Sequence, residues 1–234
     1  GFIWLGETYQ DYNLHEIQET TLSDGASPLA GQYVNVWGTV TASQGPYFSL
    51  QNGTGAWNAI QVEYDPETSP VGEIGTGTEM ALSAHVSEKD GMTTLTEVTN
   101  IGITTSTGNL PAPVSLNAGQ AQQEQYESVF VHIPAAWVVP ESLAGQDYWQ
   151  VRQDGDTLAV SRKIINKQIP QEWEGDIWGV MEYSAAKGHY TLTPFLEEHI
   201  GESAAAALPR QQAKVEIQAG KHYYTVQTAQ RIAT

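Results

Sequence analysis

The sequence of 234 residues contains no cysteine. This absence excludes disulfides, thiolate nucleophiles, cysteine-ligated zinc and covalently attached haem. Cations are scarce as well, since residues 1–150 contain one, Lys89, against 17 acidic residues. No run of about 18 apolar residues occurs, so the sequence predicts no membrane-spanning helix.

The charge is distributed unevenly along the chain. Residues 1–150 carry −16, residues 151–209 carry −4, and residues 210–234 carry +3. An acidic body therefore precedes a basic segment. Two interpretations stay open: the acidity keeps a secreted protein soluble and the sign of the last segment has no function, or the opposite charges attract each other between copies.

Alternating apolar and polar residues indicate β-strands through most of the chain. In YVNVWGTV, the valines at 34, 36 and 40 alternate with Asn35, Trp37 and Thr39, and AIQVEY repeats the pattern. Asn52-Gly53 predicts a tight turn between PYFSLQ and AIQVEY. Asp90-Gly91, Asp154-Gly155 and Lys187-Gly188 predict further hairpins.

The strand order recurs about 100 residues later. The segment GTGTEMALSAHVSEKDGMTTLTEVTNIG aligns with WEGDIWGVMEYSAAKGHYTLTPFLEEHIG. Five strands suit a small closed barrel, so we predict an all-β chain with two tandem five-stranded barrels. The predicted boundaries are an N-terminal extension (1–13), a first barrel (14–117), a second barrel (118–202), and a linker with a C-terminal β-hairpin (203–234).

The first predicted barrel resembles the OB-fold domains of bacterial secreted nucleases and cell-surface proteins. The matching segments are LHEIQ at 14–18, SPLAGQYVNVWGTVTA at 27–42, YFSLQNGTG at 47–55, VSEKDGMTTLTEV at 86–98 and the exit segment LPAPVSL at 110–116. The second barrel is similar mainly through GDIWGVMEYSAAKGHYTLTP. The resemblance implies an OB barrel and a secreted protein; the catalytic domain of the nuclease members is separate, and nothing here resembles it.

The motifs of common catalytic sites are missing from the sequence. HEIQE at His15 lacks the second histidine of H-E-x-x-H, G-x-S-x-G does not occur, and GEIGTGTE lacks the Lys-Ser/Thr of a phosphate-binding loop. We predict a non-catalytic protein without a cofactor. Asp154 and Asp156 in QDGDT are candidate calcium ligands, but this loop lacks a full ligand set and is equally an ordinary hairpin turn.

Three aromatic residues are candidates for stacking on a ligand: Tyr33, Trp37 and Tyr47 lie on the polar side of their strands. They could instead pack beneath the neighbouring barrel or a loop. A lone cation argues against nucleic acid, whose phosphates require Lys and Arg, whereas a neutral glycan has no such requirement.

Both ends of the chain carry strand-like sequences that neither predicted barrel uses. We predict that they join copies of the protein in a filament or surface array, as in strand addition to a sheet edge, unless GFIWLG folds back on its own barrel. The candidate assembly residues are Phe2, Ile3, Trp4, Leu5, Lys214, Val215, Ile217, Lys221, Tyr224, Val226 and Arg231.

The predicted function is therefore that of an extracellular structural protein. The alternative is a secreted module, accessory to an enzyme, that binds carbohydrate or, against the charge, nucleic acid. The chain begins at Gly1 and not at Met, which predicts that a preceding piece was removed by signal-peptide processing or by trimming.

Overall fold

The computed structural model describes residues 9–67, 74–105, 108–185 and 187–202. These residues form two β-sheets in chain order. The strands of the N-terminal sheet are β1 (Gln10–Asp11), β2 (Tyr33–Gln44), β3 (Tyr47–Gln51), β4 (Ala59–Glu63), β5 (Glu79–Lys89) and β6 (Met92–Thr105). The strands of the C-terminal sheet are β7 (Val114–Ser115), β8 (Phe130–Val138), β9 (Tyr148–Gln153), β10 (Asp156–Ser161), β11 (Glu174–Ser184), β12 (His189–Thr193) and β13 (Ile200–Glu202).

The C-terminal sheet contains a closed five-stranded barrel. Its strands pair in the order β8, β9, β10, β12 and β11, and β11 pairs back with β8. The β10–β12 pair is parallel, and the other four pairs of the barrel are antiparallel. The short strands β7 and β13 extend the sheet beyond β8 and β11. The prediction of an all-β chain is confirmed, and so is one closed five-stranded barrel.

The N-terminal sheet repeats this order of pairing. Strand β2 pairs with β3, β3 with β4, β4 in parallel with β6, and β6 with β5, while β2 also pairs with β5. The two hairpins that the sequence analysis aligned, β5–β6 and β11–β12, occupy the same place in the two strand orders.

Both predicted Asp-Gly turns have the positive φ angles that a two-residue hairpin turn needs. Asp90 and Gly91 have φ of 53° and 82°, and Asp154 and Gly155 have φ of 53° and 94°. Two successive residues with positive φ match the right-handed twist of the flanking strands, which is why Asp-Gly is favoured there. The hairpin predicted at Asn52-Gly53 is confirmed, since β3 and β4 pair in antiparallel order. Its connection, residues 52–58, is longer than the predicted tight turn.

Each sheet encloses its own apolar core. In the N-terminal sheet the alternating residues of β2 point inward, and Val34, Val36 and Val40 are fully buried. A five-residue helix, α1 (Leu14–Gln18), adds Leu14 and Ile17 to this core. The helix starts at a capping box formed by Asn13 and Glu16, in which each side chain satisfies the other's backbone N–H.

The two sheets share a buried interface. Phe130, Val180 and Phe195 of the C-terminal part pack against Ala42 of β2 in one apolar cluster. The Gln51 side chain, 1% exposed, accepts a hydrogen bond of 2.9 Å from the backbone N–H of Phe130. The described sheets therefore form a single body, because apolar packing and a buried hydrogen bond both cross between them.

Gly38 lies where β2 passes from its pairing with β5 to its pairing with β3. A methyl group added there would lie 2.6 Å from the backbone oxygen of Gln51. We expect Gly38→Ala to lower the free energy of unfolding by about 1–3 kcal/mol, because the strands would have to separate. Urea denaturation measures this. Gly75→Ala is the control, since nothing lies within 4 Å of its added methyl; equal stability losses in both variants would contradict the prediction.

Candidate functional site

The predicted assembly residues all lie outside the described residues. Phe2, Ile3, Trp4 and Leu5 precede residue 9, and Lys214, Val215, Ile217, Lys221, Tyr224, Val226 and Arg231 follow residue 202. The described residues show only the surfaces to which such segments could bind.

An open groove of about 800 Å³ crosses the N-terminal sheet. We call it the tyrosine groove, and it lies between the second half of β6, the end of β4 and the start of β2. Its lining residues are Tyr9, Tyr33, Pro46, Glu63, Tyr64, Asp65, Lys89 and residues 96–101. Of the three predicted stacking residues, Tyr33 lines this groove, whereas Trp37 and Tyr47 do not.

Aromatic contacts hold the tyrosines of the groove in place. The rings of Tyr9 and Tyr33 stack with centroids 5.0 Å apart, and Tyr33 meets His85 edge-on at the same distance. The hydroxyl of Tyr33 donates a hydrogen bond to the Glu97 carboxylate. Tyr33 is still 40% exposed, so it presents a fixed aromatic surface to a ligand.

Two irregular residues in β6 shape the floor of the groove. Glu97 and Asn100 have φ of 50° and 51°, in the left-handed region that non-glycine residues seldom adopt. The pairing of β5 with β6 shifts register between Ser83 and His85 and again between Ala81 and Ser83. Such bulges turn side chains away from the regular alternation, and here they set Thr96 to Ile101 along the groove.

Carboxylates dominate the charge of the groove. Glu63, Asp65 and Glu97 line it, and Lys89 is the only cation among the lining residues. Lys89 is bound to the Glu63 carboxylate, and this hydrogen bond raises the pKa of the lysine. Lys89 therefore keeps its charge and offsets that of Glu63, and Asp65 and Glu97 leave the groove with a net negative charge.

A second, smaller cleft of about 380 Å³ lies on the C-terminal barrel and has the opposite character. Arg162, Lys163 and Lys187 line it together with Asp147 and Glu182. The Lys187 ammonium lies 4.3 Å from the centroid of the Tyr148 ring, a cation–π contact.

Arg162 of this cleft has a structural task. Its guanidinium donates to the backbone oxygens of Gly145 at 3.2 Å, Lys167 at 3.2 Å and Leu143 at 3.4 Å. These bonds join the loops on either side of the cleft. Arg162 therefore stabilises the backbone beside the cleft, and Lys163 forms an ion pair with Glu182, with Nζ 3.9 Å from Oε1.

A buried acid lies at the interface of the two sheets. Glu127 is 3% exposed, and its Oε1 accepts a hydrogen bond of 3.1 Å from the backbone N–H of Thr93 in β6. Burial raises the pKa of Glu127 well above its usual value, and the nearby Glu124 and Glu88 raise it further. The Glu124 carboxylate itself accepts a hydrogen bond of 2.6 Å from Tyr190.

A buried histidine lies near the same interface. His199 packs edge-on against Phe195 at 4.2 Å and stacks on Phe130 at 5.5 Å. Burial among these rings lowers the pKa of His199 to about 4. The imidazole is therefore neutral at pH 7, and its site is an apolar one built for packing.

A histidine–carboxylate pair occurs in the C-terminal barrel. The Nε2 atom of His132 lies 3.4 Å from Oδ2 of Asp176, and the His132 ring stacks on Trp178 at 4.5 Å. The other carboxylate oxygen of Asp176 accepts the backbone N–H of Ala135 at 2.9 Å, next to the bulge in the β8–β11 pairing. The bond to Ala135 gives the carboxylate a structural role at this bulge.

The predicted calcium ligands lie at the tip of the β9–β10 hairpin. Asp154 and Asp156 are exposed there, and Asp154 occupies the first position of the turn. Among the described residues, no three histidine or acidic side chains come close enough together to hold a metal ion. The tight turn at Asp154-Gly155 explains the conformation of this hairpin without a bound ion.

Comparison with models of known protein families finds no match, and neither does comparison with curated proteins. Within the described part of the chain, no helix has the length and apolar character needed to cross a membrane.

The Glu127 carboxyl should make stability depend on pH. An acid whose pKa is raised by folding favours the folded state below its ordinary value of 4.5, and this contribution is lost as the pH rises through the raised value. Glu127→Gln keeps an acceptor for Thr93 and cannot ionise. We expect it to raise the melting temperature at pH 8 by about 2–4 °C or more, the shift that 1 kcal/mol produces in a chain of this size.

Scanning calorimetry at pH 5 and pH 8 measures this difference. The gain should be smaller at pH 5 than at pH 8, because a raised pKa leaves more of the native acid protonated at the lower pH. Glu172→Gln is the matched control, because Glu172 is exposed in the turn before β11 and its replacement should leave the melting temperature unchanged. A gain that is equal at both pH values would contradict an ionisation effect at Glu127.

Proposed function

We propose that this protein is a non-catalytic extracellular structural subunit that assembles with copies of itself through its terminal segments. The observation that carries this proposal is the position of the strands next to those segments. Strand β1 lies at one end of the strand order of the N-terminal sheet, and β13 lies at one end of the order of the C-terminal sheet. Both sheets therefore present a strand edge beside a terminal segment.

These edges suit strand addition. Gln10 and Asp11 of β1 pair with β2 on one side, and residues 200–202 of β13 pair with β11 on one side. Within the described ranges, neither strand has a partner on its other side. An unpaired edge presents backbone N–H and C=O groups that an extended segment of another copy can bind.

The joined sheets also suit a structural role. Because the buried interface fixes one sheet against the other, the two outer edges keep a constant relative orientation. A head-to-tail contact between such edges repeats with a constant rotation and translation, and it forms an open filament unless the rotation closes a ring. The surplus of acidic residues in residues 1–150 attracts the basic residues 210–234 of another copy.

We also propose that the fold is a tandem pair of OB-like barrels in a secreted protein. The recurrence of one strand order, with a parallel pair at the same place in both sheets, supports this, as does the additional pairing of β2 with β5. A five-stranded Greek-key barrel with this closure is the architecture of the OB fold. The resemblance of residues 14–116 to secreted OB domains supports the extracellular location.

Deletion of either terminal segment tests the assembly. We expect that removing residues 1–6 or residues 210–234 abolishes filaments or arrays, because each deletion removes one partner of a head-to-tail contact. Negative-stain microscopy and light scattering of the purified protein measure the result. Replacing Lys163 and Lys187 with Gln is the control, since it removes two cations outside the terminal segments. Filaments that persist in both deletion variants would contradict the proposal.

A second candidate function is the binding of a neutral glycan in the tyrosine groove. The exposed Tyr33 ring beside the Glu97 carboxylate favours it, because aromatic faces and carboxylates suit the apolar faces and hydroxyls of sugars. The groove offers Lys89 alone for phosphates, which argues against nucleic acid.

A glycan array with the full chain tests this second function. Binding should fall at least about tenfold in Tyr33→Ala, as expected for the loss of a central aromatic contact. Trp37→Ala is the control, because Trp37 is comparably exposed, at 38%, but lies outside the groove. Equal binding by the native chain and both variants would show that any glycan site lies elsewhere.

A further inference from the structure

We propose that the tyrosine groove is the receptor for the basic C-terminal segment, residues 210–234, of a second copy of the chain. This inference rests on the proposed assembly through the terminal segments and names the surface that one of them meets. The groove and the segment match in charge, in side-chain chemistry and in the length of chain available.

Charge complementarity favours this occupant. The groove carries the carboxylates of Glu63, Asp65 and Glu97 and one cation, Lys89, that is bound to Glu63. Residues 210–234 contain four cations and one acid. Three carboxylates and one cation give the groove lining a net charge of −2, which attracts a segment with a net charge of +3.

The aromatic surface of the groove favours the same occupant. Tyr33 is held by Tyr9, His85 and Glu97, and its exposed ring can bind either a cation or an apolar side chain. The C-terminal segment alternates such side chains. As an extended chain, it would present Val215 and Ile217 on one face and Lys214 and Glu216 on the other.

The length of the chain allows the segment to leave its own barrel. The described residues end at 202 in β13, and residues 203–209 precede the basic segment. Seven extended residues span at most about 25 Å, which is enough to cross to the surface of a neighbouring copy in contact. The spacer, SAAAALP, contains no charge that would bind it to either sheet.

The other described cleft is a poor receptor for this segment. Its three cations outnumber its two acids, Asp147 and Glu182, and the resulting net charge of +1 would repel a segment with a net charge of +3. The two surfaces thus differ in the sign of their net charge, and the acidic one lies on the N-terminal sheet. A contact from the C-terminal end of one copy to the N-terminal sheet of the next is head-to-tail, as a filament requires.

Charge reversal on both sides of the contact tests the inference in the full chain. The groove variant is Asp65→Lys with Glu97→Lys, and the segment variant is Lys214→Glu with Lys221→Glu. We expect each variant alone to raise the concentration needed for assembly about tenfold or more, because like charges then face each other. An equimolar mixture of the two variants should recover assembly, because reversed segments then meet reversed grooves. Light scattering against protein concentration measures all three.

The matched control reverses two acids outside the groove, Glu141→Lys with Glu172→Lys, which are exposed on the C-terminal half. It changes the net charge by the same amount and should assemble like the native chain. Circular dichroism establishes that every variant is folded, and a groove variant that does not fold is replaced by Asp65→Asn with Glu97→Gln, for which a smaller rise is expected.

The outcomes separate the inference from the function on which it rests. If deletion of residues 210–234 stops assembly but the groove variants assemble normally, the segment acts elsewhere and the inference is overturned while the proposed function stands. If the native chain is monomeric at all concentrations, both are overturned. If the mixture does not recover assembly, the groove is not the receptor. The same conclusion follows if the groove binds a glycan that residues 210–234 do not displace.

Discussion

The buried hydrogen bond from the backbone N–H of Phe130 to the side chain of Gln51 joins the two sheets directly. Around it, Ala42 of β2 packs into the apolar cluster of the C-terminal part, and Thr93 of β6 donates to Glu127. Polar groups buried in this way must be satisfied by one another, because separating them without water would leave each unpaired. The interface therefore determines how the sheets are oriented.

The other features follow from that fixed orientation. A chain of two barrels on a flexible connection could present its edges in many directions, and copies would then meet in many geometries. With the sheets joined, the tyrosine groove on one sheet and strand β13 on the other keep a constant relative position. For the proposed head-to-tail contact, this constant position would give a single direction of growth.

Local strand patterns were the part that the sequence could predict. The alternating valines of β2 and the Asp-Gly turns are determined by neighbouring residues, so their signals lie within a few positions of each other. The length of the connection at residues 52–58 was not predicted, because an Asn-Gly pair occurs both in two-residue turns and in longer loops. In this longer loop, Gly53 and Gly55 both have positive φ.

The groove and the interface depend on residues far apart in sequence. The sequence predicted Tyr33 as a stacking residue from its place on a strand. Its contacts with Tyr9 and Glu97 were not predicted, because these residues are far from Tyr33 in sequence. Glu97 in a left-handed conformation has no sequence signal, because glutamate is rarely found there. Gln51 and Glu127 are polar residues of kinds that are usually exposed, so their burial could not be inferred from residue type.

Differential scanning calorimetry of the full chain at neutral pH tests most directly whether the two sheets are one body. If the interface couples them as described, the chain unfolds in a single transition whose calorimetric enthalpy equals its van't Hoff enthalpy. Two resolved transitions, or a calorimetric enthalpy about twice the van't Hoff value, would show that the sheets unfold independently and would contradict a rigid subunit.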